Sequence, residues 1–283
     1  MPTYEDVDHD LELSIRRGFS SDLNRFKAMK GWLDGAFKQM VGHRSDMYSF
    51  NSRVKQVESL LRKLDGKRKS EKIKGLNRWS GVEDYSQLKD HVDDIIGGRL
   101  ITYFVRDLPE LMLYIANFER FCVKEITIHD MIENPVLYPS VLRALNLKTK
   151  EEGKITRELR DNQLVEFEVL RKEFHPECTA KKIPYQIRLN PNGYVGIHVI
   201  IKPLPFDDYW KKEPGLFDKF ELQIRSLIHE AWSEIQHKVI YKGERMPDEV
   251  KLARASQFSM LSSILSSCED QLYHAAHPPK DEK

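Results

Sequence analysis

Two separated segments of the chain alternate strictly between apolar and reactive side chains, and this pattern most restricts the fold. In 193–201, Val195, Ile197, Val199 and Ile201 fall on one side, with Tyr194 and His198 on the other. In 220–225, Phe220, Leu222 and Ile224 alternate with Glu221, Gln223 and Arg225. Successive strand residues point to opposite faces, so each segment buries an apolar row and presents the other row. A merely wetted face is normally Lys, Thr, Glu and Ser. An aromatic ring, a histidine, a carboxylate, an amide and a guanidinium read instead as the floor of a polar ligand site.

The rest of the chain supplies what surrounds such strands. Leu23, Phe26, Met29, Trp32, Leu33 and Phe37 recur at helical spacing near the N-terminus. Val54, Val57, Leu60, Leu61 and Leu64 predict a second helix from about Phe50 to Leu64, stopped at Gly66. On it Lys55, Ser59 and Lys63 would stack at four-residue spacing with Arg53 near the start, followed by a basic, flexible stretch, 67–75. Residues 95–105 read as a buried strand. Asp107 is placed to cap a helix with Pro109 in its first turn and Leu108, Leu111, Met112 and Ile115 on its face. Residues 123–128 and 164–170 predict further strands within an otherwise irregular 130–190. Ser226 caps a helix carrying Leu227, Ile228, Ala231, Trp232, Ile235 and Val239, and a last helix spans about 248–273. Strands alternating with helices predict an α/β fold, a mixed β-sheet flanked by helices, with helices at both termini. The partition is a helical segment over 1–46, one catalytic domain over 47–245, and a C-terminal helix with polar tail over 246–283.

Charge totals narrow the partners. Lys and Arg number 45 against 44 Asp and Glu, net +1, so no global field recruits nucleic acid or a membrane. Cys122, Cys178 and Cys268 lie far apart, with no close pair to seed a zinc site, and so few suit a reducing cytosol. The acidic N-terminus lacks signal-peptide order, and no apolar run approaches the roughly 20 residues of a membrane span, so a cytoplasmic protein is expected. Local clusters carry the chemistry. Arg53, Lys55, Ser59, Lys63 and the Lys67-Arg68-Lys69 group could grip a polyphosphate through charge-assisted hydrogen bonds. No G-x-x-x-x-G-K-[ST] loop is present, so any nucleotide site is not a P-loop. Asp94, at the entry to a strand, and Glu221, heading a reactive row, could converge as a seat for Mg²⁺, which completes its shell with phosphate oxygens and water. The dipeptides His9-Asp10 and His129-Asp130 lack the further ligands of a metal phosphohydrolase.

Four blocks then fall into a familiar order: Arg53-x-Lys55-x-x-x-Ser59-x-x-x-Lys63, Asp94-Ile95-Ile96-Gly97-Gly98-Arg99, Asn192-Gly193-Tyr194-x-x-x-His198 and Glu221-x-Gln223-Ile224-Arg225. Over about 52–242 they resemble the RelA/SpoT-type (p)ppGpp synthetase domain, in a small, synthetase-only form. The stretch Ala231-Trp232-x-x-x-x-His237-Lys238-x-x-Tyr241-Lys242 is similar to the family's next helix. The resemblance implies a nucleotidyltransferase-like fold and a pyrophosphokinase that moves the β,γ-diphosphate of ATP to the ribose 3′-hydroxyl of GDP or GTP, releasing AMP. It implies that Arg53, Lys55, Ser59, Lys63 and Arg68 grip ATP and that Asp94 and Glu221 hold Mg²⁺, with Glu221 also assisting deprotonation of the hydroxyl. Tyr194 would stack on the acceptor base, and Asn192, His198, Gln223 and Arg225 would contact the rest of the acceptor.

The departures from the family pattern gather around that acceptor. Asn190 stands where many synthetases carry a basic residue, Val195-Gly196 follows the tyrosine, and the 129–190 segment is long. A second reading is therefore a toxin-type member that pyrophosphorylates the 3′ end of tRNA, the basic run 62–78 tracking the RNA backbone. An inhibitory antitoxin or a homo-oligomer would be its protein partner. A third reading, a catalytically silent nucleotide- or partner-binding module, is disfavoured by retention of both carboxylates and the basic residues.

Overall fold

Both reactive rows lie on one sheet. The computed structural model describes residues 4–75, 77–116, 118, 121–131, 137, 141, 165–168, 182–190, 193–203, 219–236, 238 and 248–278. Its elements are α1 (His9–His43), β1 (Met47–Val54), α2 (Val57–Lys74), α3 (Tyr85–His91), β2 (Ile96–Thr102), a 3-10 turn (Val105–Asp107) running into α4 (Leu108–Ala116), β3 (Phe121–Met131), β4 (Val165–Glu168), β5 (Lys182–Asn190), β6 (Gly196–Pro203), β7 (Phe220–Ser226), α5 (Leu227–Gln236) and α6 (Asp248–Ala276). Among the described residues the strand order is β1-β2-β7-β6-β3-β5-β4. The pairs β2–β7 and β3–β5 are parallel and the others antiparallel, which makes the sheet mixed, as the alternation of elements predicts.

The apolar rows turn toward α1. This helix is capped by Asp8, whose side chain accepts from Leu11 N, and it buries Phe26, Met29, Leu33, Phe37 and Met40 among others. Phe37 stacks on Phe50 at 4.4 Å and on Phe121 at 5.3 Å, with Phe220 edge-on at 6.2 Å. Fully burying each such side chain stabilises the fold by about 1.5–3 kcal/mol. Helix α5 packs on β2 and β7, while α6 packs on α5 and the 3-10 turn.

The helix predicted from Phe50 is corrected. Residues 47–54 form β1, antiparallel to β2 with Arg53 opposite Gly97. Helix α2 starts at Val57, passes through Gly66 and ends at Lys74, with Gly75 as its left-handed cap at φ 67°. Arg53 and Lys55 therefore precede the helix instead of sharing a stripe with Ser59 and Lys63, and 67–74 is helical. The edge strand hid because it buries only Met47 and Phe50 and is bulged between Met47 and Ser49, which breaks the alternation. Strand β5 also went unforeseen. In α5, Ser226 Oγ accepts from His229 N as the capping role requires, but the buried face is His229, Trp232 and Gln236. Leu227 and Ile235 are exposed, and Val239 lies outside the described residues.

No described helix is long and apolar enough to cross a membrane.

Candidate active site

The site grows from the parallel pairing of β2 with β7, where Gly97 lies opposite Glu221 and Arg99 opposite Gln223. Gly98, one step out of phase, faces the core; a Cβ there would meet Phe50 and Leu222 at 3.0–3.2 Å, so the close packing of strands on aromatic core needs glycine. Across the antiparallel β6–β7 pairing, His198 lies opposite Gln223. A cavity of about 220 Å³ opens over β1, β2 and β7, lined by Asn51, Ser52, Arg53, Asp94, Gly97, Gly98, Arg99, Glu221, Gln223 and Glu234.

On one side of this cavity a carboxylate holds two lysines. Asp94 Oδ1 accepts from Lys63 Nζ at 2.8 Å and Oδ2 accepts from Lys55 Nζ. Burial works to raise the Asp94 pKa, but the charges and hydrogen bonds of Lys63 and Lys55 outweigh it and bring the carboxyl down to about 2. Lys55 is lowered, because its burial outweighs the attraction of Asp94.

On the other side, side chains close a ring. Glu221 Oε1 lies 3.2 Å from His198 Nδ1, and its Oε2 accepts from Gln223 Nε2 at 2.8 Å. Gln223 Oε1 accepts from Arg225 Nη2 at 2.7 Å. The Arg225 guanidinium lies 4.8 Å over the Tyr194 ring, and Tyr194 OH shares a 2.7 Å hydrogen bond with His198 Nε2. Burial acts to raise Glu221, but hydrogen bonding and charge from His198 prevail and hold it below the usual carboxylate range. Burial pushes the Tyr194 phenol up to about 12.

The loop before β6 is fixed from behind. Gly193 has φ 76°, and a Cβ on it would lie 2.5 Å from Ser262 Cβ of α6, whose hydroxyl donates to Gly193 O at 2.5 Å. Asn190 Nδ2 donates to Tyr194 O at 3.3 Å, so the residue standing in place of a basic one stitches the loop. His129, on β3, sets its ring 4.4 Å from that of His198 in a tilted contact and is lowered to about 3 by burial, then by His198 and Arg188.

Of the residues singled out in the sequence, Arg53, Asp94, Glu221 and Gln223 line the cavity, Lys55 and Lys63 are bound to Asp94, and Tyr194, His198 and Arg225 form the adjoining ring. Ser59 sits in the first turn of α2, its hydroxyl accepting from Arg62 at 3.4 Å. Arg68 is not brought here: its guanidinium donates to the backbone carbonyls of Asp6, Trp79 and Val82, tying α2 to its surroundings. Asn192 lies outside the described residues. Sequence reasoning missed Arg99, Glu230, Glu234 and His129. Arg99 stood inside a quoted motif, and His129 was weighed only as a metal ligand beside Asp130. Asp130 is instead a buried cap accepting from Met131 N and Leu137 N.

As a seat for Mg²⁺ the donors fit. Asp94 and Glu221 offer hard oxygen donors on one cavity. Mg²⁺ takes one or two carboxylates and completes its shell with phosphate oxygens and water.

Comparison with known proteins follows the same line. No protein-family model matches the chain. The chain is 23% identical over 208 residues to the GTP pyrophosphokinase YwaC of Bacillus subtilis (strain 168), a match covering 71% of this chain and 64% of that relative's length. Among solved structures it is similar to small alarmone synthetase 1 from Bacillus subtilis, with a TM-score of 0.53 at 18% identity, over 92% of this chain and 97% of that one. A GTP pyrophosphokinase family protein from Streptococcus pneumoniae superposes with a TM-score of 0.52 at 16% identity, over 92% and 94%. The Bacillus enzyme has also been solved bound to its product pppGpp and to AMPCPP. In its sequence blocks and in its fold the chain is similar to the small alarmone synthetases.

Proposed function

We propose that this chain, built on the fold of the small alarmone synthetases, is an ATP:nucleotide 3′-pyrophosphokinase that makes (p)ppGpp from ATP and GDP or GTP. The observation that carries the reading is the meeting of Arg53, Asp94 and Glu221 in one cavity, with Lys55 and Lys63 on Asp94 and the Tyr194–His198–Glu221 ring alongside. The ribose 3′-oxygen attacks the β-phosphorus of ATP, the bond from the α-phosphate oxygen to that phosphorus breaks, and AMP leaves. Such transfers depend on positioning and charge neutralisation rather than on a covalent intermediate. Arg53, Lys55 and Lys63 supply cationic groups for the triphosphate; the lysines move from Asp94 to phosphate oxygens as the anion enters. Asp94 and Glu221 would hold Mg²⁺, which when bound neutralises phosphate charge. Glu221 takes the proton of the attacking hydroxyl, and His198, 3.2 Å away, stabilises Glu221 as the free carboxylate beforehand. Tyr194 would pack on the acceptor base.

The guanosine acceptor is preferred to a tRNA end because much of the basic run is already matched. Lys69 pairs with Glu5 and Asp65, Lys72 with Asp6, and Arg68 with carbonyls. The test is transfer from γ-labelled ATP with Mg²⁺ to GDP, GTP or bulk tRNA. Label on guanosine nucleotide supports the reading; label on tRNA alone replaces it with the toxin-type reaction; label on neither sinks the pyrophosphokinase.

A further inference from the structure

Glu230, in the first turn of α5, reaches guanidinium groups from two different strands. Its Oε1 accepts from Arg99 Nη1 at 2.5 Å and its Oε2 accepts from Arg225 Nη1 at 2.9 Å. The two arginines belong to different halves of the site. Arg99 lines the cavity that holds Arg53 and Asp94, whereas Arg225 lies over the Tyr194 ring and orients Gln223, which orients Glu221. Side-chain exposure is 6% for Arg225 and 18% for Glu230, so solvent screens their pairing little. Arg99 is also paired with Glu234 at 2.8 Å, a carboxylate with 54% of its side chain exposed.

We propose that Glu230 is a positioning residue that couples donor binding to acceptor binding, an inference that rests on the pyrophosphokinase reading. A polyanionic donor entering the cavity attracts Arg99 away from its carboxylates. Glu230 then holds Arg225 with less competition, keeping the guanidinium flat against Tyr194 and the amide of Gln223 in line with Glu221. The acceptor meets a ring already in order. By linkage, the acceptor tightens donor binding by the same factor. The bridge is chemically specific: it needs one carboxylate with both oxygens engaged on separate cations, and a neutral amide offers only one acceptor.

The test is calorimetric binding of GDP with and without a saturating non-hydrolysable ATP analogue and Mg²⁺, for wild type, Glu230→Gln, Glu230→Asp and Glu234→Gln. In the wild type the analogue should tighten GDP by about 5-fold or more, the low end of couplings between sites. Glu230→Gln should bring that ratio close to one. Glu230→Asp keeps the charge but is one methylene too short to span both guanidiniums, so the same loss is expected should the amide variant not fold. Glu234→Gln removes a partner of Arg99 alone and should keep the ratio. A wild type that binds both nucleotides without coupling, or a Glu230 variant that retains it, overturns the proposal while leaving the reaction standing. A wild type that binds neither nucleotide removes the pyrophosphokinase reading and the coupling with it.

Discussion

Replacing Asp94 by Asn separates stability from catalysis at the centre of the cavity. The carboxyl falls from an ordinary 3.8 to about 2 in the folded chain, because Lys63 and Lys55 outweigh the effect of burial. At 24% side-chain exposure the group is shielded enough for linkage to be applied, and a fall of that size corresponds to roughly 2 kcal/mol. The folded pKa is depressed, so this stabilisation is complete above the unfolded value near 3.8 and is lost as pH falls through about 2. At pH 7 the Asn variant should therefore lose all of it. At about 2.1 cal/mol/K per residue the unfolding entropy is near 0.6 kcal/mol/K, which translates to a Tm lowered by about 3 °C. Turnover with ATP, GDP and Mg²⁺ should fall by about 100-fold or more, as expected for a group acting in the transition state. The two effects part company in the double variant Asp94→Asn with Lys55→Met. Removing the mostly buried ammonium left without its counter-charge should recover part of the Tm, because an unmatched charge costs more than an apolar replacement. It should recover none of the turnover. Thermal unfolding followed by circular dichroism and a labelled-ATP assay on the same preparations decide the matter: an unchanged Tm together with near-normal turnover in the single variant refutes the reasoning.

Lys63→Ala should raise the KM for ATP more than that for GDP in steady-state assays, since Lys63 faces the donor side through Asp94; the opposite split would mean the two subsites have been assigned backwards. Tyr194→Ala should weaken acceptor use by about 5- to 150-fold, the worth of a base-stacking face. Tyr194→Phe should fall between it and wild type, because the ring remains but the hydroxyl bonded to His198 is lost; wild-type kinetics in the Ala variant would make the ring structural. Glu269→Gln should raise the Tm at pH 8 and not at pH 5. Burial pushes this carboxyl up to about 7, so the stability tied to its proton is full below the unfolded value of 4.5 and is lost as pH rises through 7. Its neighbour His229, 3.6 Å away, is lowered to about 4 by burial and does not charge to compensate in that window. Equal Tm differences at both pH values would refute the assignment.

The parts of the fold that were legible in sequence are those where burial acts on one face alone. Strands β6 and β7 are central, with an apolar row in the core and a more open row on the other face, so the period of two shows through most of both. Helix α1 likewise shows its buried stripe because its other side meets solvent. Strand β1 could not be read that way. It stands at the sheet edge, carries Asn51, Ser52 and Arg53 toward the cavity, and is bulged, while the strong stripe of Leu60, Leu61 and Leu64 in α2 extends its apparent period backward over it. In α5 the error ran the other way: Leu227 and Ile235 look like a core face, yet the buried residues are His229, Trp232 and Gln236, with His229 and Trp232 packed on α6.

The candidate site was legible to the extent that its residues act through short, fixed offsets. Glu221, Gln223 and Arg225 are two apart on one strand, and their hydrogen bonds to one another follow from that spacing alone. Lys55 and Lys63 were assigned to one helical stripe, which the structure replaces, but both still arrive at Asp94, because α2 lies beside the entry to β2 and an ammonium on a long stem tolerates a change of backbone beneath it. Arg68, in the middle of α2, donates instead to three backbone carbonyls. What no offset could reveal is the tie between the halves. Glu230 is five residues beyond Arg225 but 131 beyond Arg99, and only the parallel pairing of β2 with β7 places both guanidiniums under one turn of α5. Local spacing therefore sets out the reactive groups, and sheet topology decides which of them answer to one another.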